Sequence, residues 1–323
     1  MADQSSVRNV KKFLQRNPQV ATLIGFVGII IVFATLSPNF LTANNISNII
    51  NQSASISIVA FGMTMVLLTG GIDLSIGGIL GLVCVVAAKL FSFGVPLPII
   101  ILTGLAIGAF VGFVNGLIIT QFNIQPFLVT MGMVSITRGL AQYTTNGQSI
   151  FIKADFFRLA ISQGRLFGIP VLLYWVALFL VVIYFLVSHT PFGRRIQAVG
   201  GNSEAALFSG IKVNRVKIIV YTMSGLIAAT AGFVTLSRLS SGLPTVGAGI
   251  EMDAIASAVL GGTGFNGEGG NILGTVLGAL VIGTITNGLT VLGVDSYLQN
   301  VVKGVIIILT VVASVSLAKK SER

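Results

Sequence analysis

Apolar runs long enough to cross a bilayer alternate with short polar breaks along almost the whole chain. A bilayer core needs about 20 mostly apolar residues per helix. On that measure 20–36, 55–68, 76–91, 97–120, 126–143, 171–187, 216–236, 272–292 and 297–317 read as crossing helices. Residues 44–52 read as an interfacial amphipathic stretch, with Ile46, Ile49 and Ile50 on one side. Residues 144–168 carry Lys153, Asp155, Arg158 and Arg165, too polar to span, and are expected on the outer side. Residues 251–262 are apolar but short, between Pro244 and a Gly-rich run, and predict a short or broken membrane helix. Counting that segment gives about ten crossings, an all-α polytopic membrane protein with both termini on one side.

The longest polar interruption between crossings, 188–217, is the organising feature. Within it 203–209 predicts a short helix. Asn202 or Ser203 can cap its start, Glu204 places a negative charge in the first turn, and Gly210 can supply a left-handed exit. So short a helix does not persist alone in water, so flanking segments or a docking surface must hold it. The pattern fits either a solvated connection or a docking lever.

Composition narrows the class. Charged residues are 9% and hydrophobic residues 54% of 323, far from a soluble domain. The net charge of +10 would suit nucleic acid, but its placement argues otherwise. Basic residues gather in the N-terminal tail (Arg8, Lys11, Lys12, Arg16), the central loop (Arg194, Arg195, Lys212, Arg215, Lys217) and the C-terminus (Lys319, Lys320, Arg323). That is the positive-inside pattern. It predicts a cytoplasmic tail over 1–19, one membrane domain over 20–317 containing the cytoplasmic loop 188–217, and a cytoplasmic tail over 318–323. No cleavable signal peptide is expected. Cys84, the one cysteine, reads as a small buried hydrophobe.

GAFVGFVNGLI at 108–118 is echoed by GALVIGTITNGL at 278–289, and Asp73 with its following LSIGG by Asp253 with AIASAVLGG. The two NGL-bearing helices would run oppositely, as an inverted repeat requires. The stripe Gly104, Gly108, Gly112, Gly116 and the pair Gly274, Gly278 suit close helix packing. Asp73, Glu251 and Asp253 are expected to cap helix starts, with Asp73 capping from Leu74 and the other two near the external mouth. With Asn115 and Asn287 they are also the pathway or gate candidates. Lys303 needs a partner or a route to the interface. Arg138 and Arg238 are expected to meet an external protein or lipid. His189 is the one histidine and there is no P-loop signature, so catalytic, cofactor and metal roles are not expected.

Three blocks together are specific: GMTMVLLTGGIDLSIGG at 62–78, AVGGNSEAALFSGIKVNRVKIIVYTMSGLIAATAG at 198–232, and EMDAIASAVLGGT with GEGGNILGTVLGALVIGTITNGLTVLGVDSY across 251–297. They resemble the permease subunit of bacterial ABC importers for ribose and related monosaccharides, from about residue 18 to the end. The resemblance implies a ten-helix fold similar to the vitamin B12-importer type and a homodimer in the cytoplasmic membrane, surrounded by lipid. It also implies a cytosolic ATPase subunit, an extracytoplasmic sugar-binding protein, and no nucleic acid. The family's ATPase-coupling segment falls on 201–212, covering Gly201 and Ser203, with Asn202, Glu204, Ala205, Ala206 and Gly210 matching its pattern. At 263–268 the sequence TGFNGE departs from the family, which has a serine after the threonine and a basic residue near the glycines. The alternatives are an ion-coupled secondary transporter, which would give Asp73 or Glu251 a titrating role, and a membrane scaffold without transport.

Overall fold

The computed structural model describes residues 18–264, 267, 269–306 and 308. The basic tails, the end of segment 297–317 and Phe265, Asn266 and Glu268 of the divergent run lie outside the described residues. The chain is all-α. Among the described residues only paired two-residue strands occur, β1 (Ile150–Phe151) with β4 (Ser241–Gly242) and β2 (Arg165–Leu166) with β3 (Ile169–Pro170). Among the described residues five helices are long and apolar enough to cross a membrane: α2 (Ala43–Leu67), α4 (Leu97–Gln121), α7 (Val171–His189), α10 (Val213–Leu239) and α12 (Ile272–Val291). Around them stand α1 (Pro18–Leu36), α3 (Ile76–Ser92) and α5 (Pro126–Thr145). The short α6 (Asp155–Arg158) runs into a π-turn, Leu159–Gln163, and residues 296–306 form a further helix, α13.

The expected interfacial stretch 44–52 and the span 55–68 are one helix, α2. Its start is capped by Thr42, whose Oγ1 accepts from Asn45 N at 3.4 Å. From Ser53 to Leu67 every residue of α2 is buried. A lipid-facing helix could not carry Asn, Gln and Ser at this density, which is why the stretch read as interfacial. At the centre of the bundle, enclosed by α7, α10, α12 and the short α11 (Ile250–Leu260), Ser53, Ser55 and Ser57 face protein instead, while Asn48, Asn51 and Gln52 face a polar cleft.

The repeat is real and inverted. Asn287 stands 172 positions after Asn115, and the same offset carries α2 onto α10 and α4 onto α12. Gly62 lies against Ser224 while Ser55 accepts from Arg238, so α2 and α10 run antiparallel. Gly108 meets Gly225 and Gly116 meets Ile218, so α4 opposes α10. Thr64 bonds Thr275 and Ser53 meets Gly283, so α12 opposes α2. The NGL-bearing helices α4 and α12 therefore point in opposite directions. Each half hands one helix to the other half, closing the core through the glycine stripes. A Cβ at Gly108 or Gly112 would collide with the α10 backbone, so these glycines set how closely the halves approach. Gly112→Leu is expected to force the halves apart and to lower the thermal unfolding midpoint of the purified protein in detergent, whereas Gly28→Ala on α1, with open space around it, should leave it unchanged.

The short segment at 251–262 is α11 (Ile250–Leu260), 11 residues, or about 16 Å. It crosses only part of the bundle. The rest of the crossing is non-helical backbone: Gly242 packs on Ala88, Val246 on Gly81, and Gly247 on Gly77, so the chain descends along α3. Gly247 and Gly249 hold φ of +84° and +85°, the left-handed region that glycine adopts freely. Irregular backbone survives at membrane depth only against protein or a water-filled space. Cys84, fully buried on α3, packs beneath the same segment, with Sγ 3.8 Å from Ser241 O.

Candidate functional site

The polar stretch 188–217 folds as two helices, of which the sequence showed one. Thr190 caps α8 (Pro191–Gly201), accepting from Gly193 N at 3.1 Å, with Pro191 at its first position. Asn202 then caps α9 (Ser203–Phe208), Oδ1 accepting from Ala205 N at 2.9 Å. Ser203 donates instead to Val199 O and is no cap. Glu204 sits in the first turn and Gly210 leaves at φ +81°. Gly200 rests on the Leu68 carbonyl at the end of α2 and on Gly267, so a displacement of α8 reaches the central helix directly. Gly200→Val would drive a side chain into that carbonyl, and a lowered thermal unfolding midpoint is the expected result. Ala206 is buried, whereas Leu207 and Phe208 are 61% and 90% exposed. A six-residue helix offering two large apolar side chains has the form of a docking surface. Sequence reading missed Leu207 and Phe208. The available signal was an apolar pair at the end of a capped helix, which the helix itself cannot bury.

Asp73 does not cap a helix at Leu74. The helix begins at Ile76, and Asp73 is buried completely. Its Oδ1 accepts from Ser75 N at 3.0 Å and from Ser75 Oγ at 2.6 Å, and its Oδ2 accepts from Ser224 Oγ at 2.8 Å. Asn115 Nδ2 donates to Ser75 Oγ at 2.8 Å. Two candidate residues, Asp73 and Asn115, are thus one network tying the α2–α3 turn to α4 and α10. A turn with buried backbone donors at this depth needs an acceptor, and the carboxyl supplies it.

Glu251 and Asp253 do not cap either. The residue preceding α11 is Gly249, and no side chain caps it. Both carboxylates are in ion pairs within the bundle. Arg138 Nη2 on α5 meets Glu251 Oε1 at 3.1 Å, and Lys303 Nζ on α13 meets Asp253 Oδ2 at 2.9 Å. Arg138 therefore turns inward, not toward an external partner. Arg238 does the same, donating to Ser55 Oγ at 2.8 Å. The reason is common to all: an unpaired charge at membrane depth costs more than a bent side chain. Lys303→Met would leave Asp253 a buried unpaired carboxylate, a loss of about 3–5 kcal/mol. The expected outcome is a lowered thermal midpoint, restored in large part by adding Asp253→Leu.

At the end opposite α8 and α9, a cleft of 480 Å³ opens between α2, α12 and the π-turn. Asn48, Asn51 and Gln52 line it from α2, Gln163 from the π-turn, Asn287 and Thr290 from α12, and Arg238 from the end of α10. The polar positions of α2 recur three and four residues apart, the spacing of one helix face.

A family model described as "Branched-chain amino acid transport system / permease component" matches residues 45–311. The chain belongs to that permease family. This permease is 43% identical over 294 residues to the ribose import permease protein of Escherichia coli strain K12, covering 90% of this chain and 91% of that one. It is likewise 43% identical over 294 residues to the ribose import permease protein of Bacillus subtilis, covering 91% of each. It is 38% identical over 286 residues to the D-allose transport system permease protein of Escherichia coli, covering 88% of this chain and 87% of that one. The permease is therefore a multi-pass membrane component of a sugar ABC transporter.

Proposed function

We propose that this permease conducts a ribose-class monosaccharide inward across the bacterial cytoplasmic membrane. A separate ATPase subunit drives it by docking on α8 and α9, with Gly201, Asn202, Ser203, Glu204, Ala205, Ala206 and Gly210 forming the coupling segment. In this reading 188–217 and both termini are cytoplasmic. ATP hydrolysis belongs to the partner, and an extracytoplasmic sugar-binding protein delivers solute at the cleft end. The observation that carries the reading is α9: a capped two-turn helix seated through α8 on the central helix and offering Phe208 outward. Kinship with ribose permeases supplies the substrate class.

The carboxyls argue against ion coupling. Asp73 is held by two serines, Glu251 by Arg138 and Asp253 by Lys303, which suits fixed structural roles better than cyclic titration. In this reading these residues, with Asn115, frame and gate the pathway. A second copy completes the unit. On α5 the exposed positions Gly132, Ser135, Gly139 and Gln142 fall on one helix face, and Thr245, Ala248 and Gly249 are exposed on the non-helical segment before α11. Lipid cannot satisfy such a surface, and a homodimer facing itself there would enclose it.

The test is reconstitution. Vesicles holding the permease, its ATPase and the binding protein should accumulate D-ribose on addition of ATP. Accumulation by the permease alone under a proton or sodium gradient would overturn the assignment.

A further inference from the structure

We infer that the basic groove between α8 and the start of α10 holds the headgroup of an anionic phospholipid of the cytoplasmic leaflet. The choice of leaflet rests on the reading of 188–217 as cytoplasmic. The groove encloses 530 Å³, and Arg195 from α8, Lys212 ahead of α10 and Arg215 in the first turn of α10 all line it. All three residues are exposed, which gives a ligand access to them. No carboxylate lines the groove. Among the described residues the ion pairs form elsewhere, at Asp155, Glu251 and Asp253. Sidedness of basic charge explains why cations gather on this side of the membrane. It does not explain why three of them share one concavity, where like charges repel. An anion seated among them removes that repulsion and accepts their hydrogen bonds.

The walls select among anions. Phe192 and Ile219 also line the groove. Ile219 follows Arg215 by four residues on α10, which puts the two on one helix face about 6 Å apart along the axis. Ile219 is 38% exposed on a helix apolar enough to cross a membrane, so that face passes from hydrocarbon to positive charge within about one turn. A phospholipid has the matching order, an acyl chain and then a phosphate. Free phosphate would leave the apolar wall in water. An acidic protein surface would meet the cations but has no acyl chain for the Ile219 end. Lys212 gives α10 no side-chain cap, and the positive end of the α10 dipole adds to the field at the phosphate. Basic pockets between membrane helices on the cytoplasmic side suit anionic headgroups for these reasons. Ser209 and Gly210 complete the lining, so a seated headgroup lies against the exit of α9.

The experiment titrates the full-length permease in neutral detergent and reads bound lipid by native mass spectrometry. The probes are phosphatidylglycerol, phosphatidylcholine of the same acyl chains, and glycerophosphate. Preferential binding of phosphatidylglycerol, not displaced by glycerophosphate, is the expected result. A cation near an anionic headgroup contributes about fivefold in affinity. Arg195→Gln with Arg215→Gln should therefore weaken phosphatidylglycerol about 30-fold, and Arg195→Gln alone about fivefold, which keeps the test open if the double variant does not fold. Arg165→Gln, on β2 and outside the groove, should change nothing. Equal binding of the two lipids, binding indifferent to both arginine variants, or displacement by glycerophosphate (a site for any free anion) would each overturn the lipid site. If the parent shows no lipid preference and the double variant loses its ATPase on co-purification, the groove belongs to the ATPase instead. The titration contains neither ATPase nor sugar. Lipid preference without ribose uptake by the complete importer would sink only the functional reading, and uptake without lipid preference would sink only the lipid site.

Discussion

Asp73→Ala is expected to abolish the folded permease. The carboxyl accepts three hydrogen bonds, from Ser75 N, Ser75 Oγ and Ser224 Oγ, at a position with no solvent exposure. Each buried donor left without an acceptor costs about 1–3 kcal/mol, and the sum is comparable with a typical stability of about 5–15 kcal/mol. The effect should be graded. Asp73→Asn keeps one carbonyl acceptor for the Ser75 turn and should lose a fraction of that. Ser224→Ala removes one bond and should cost about 1 kcal/mol. The yield of monodisperse protein after detergent extraction, together with the thermal midpoint, measures the series. Equal behaviour of Asp73→Ala and Ser224→Ala would show that the network does not hold the turn.

Phe208→Asp should separate the permease from its ATPase. Phe208 is 90% exposed, so the substitution spares the fold. Burying a phenylalanine contributes about 1.5–3 kcal/mol, so its loss should weaken assembly by about 10- to 100-fold, and a buried carboxylate would weaken it further. Co-purification and sugar-stimulated ATP hydrolysis should both disappear. Glu204→Arg should act in the same direction but less strongly on assembly. It reverses the charge in the first turn of α9, worth about 0.3–1 kcal/mol against the helix dipole. An intact, sugar-responsive complex carrying Phe208→Asp would remove α9 from the coupling role.

The two substitutions probe features that were unequally visible in the residues. The helix α9 was legible because its signals are local: Asn202 as cap, Glu204 in the first turn and Gly210 at the exit act within a few residues of one another. Its companion α8 was hidden by the polar, glycine-containing run that also reads as loop. The part played by Leu207 and Phe208 depends on which face of α9 is left uncovered, and periodicity over six residues cannot say.

Sequence alone determined the class of the molecule, since the length of an apolar run and the sidedness of basic charge follow directly from bilayer thickness and the cost of moving charge across it. It also revealed the repeat, because equal helices need equal patterns of small residues. Tertiary structure decided what each charge does. Asp73, Glu251, Asp253, Arg138 and Arg238 looked like caps or surface contacts when only neighbours in the chain were counted. Their partners Ser224, Arg138, Lys303, Glu251 and Ser55 lie between 50 and 183 residues away. Burial leaves a charge no choice but to find a partner, and only the packing of the two inverted halves determines which partner comes within reach.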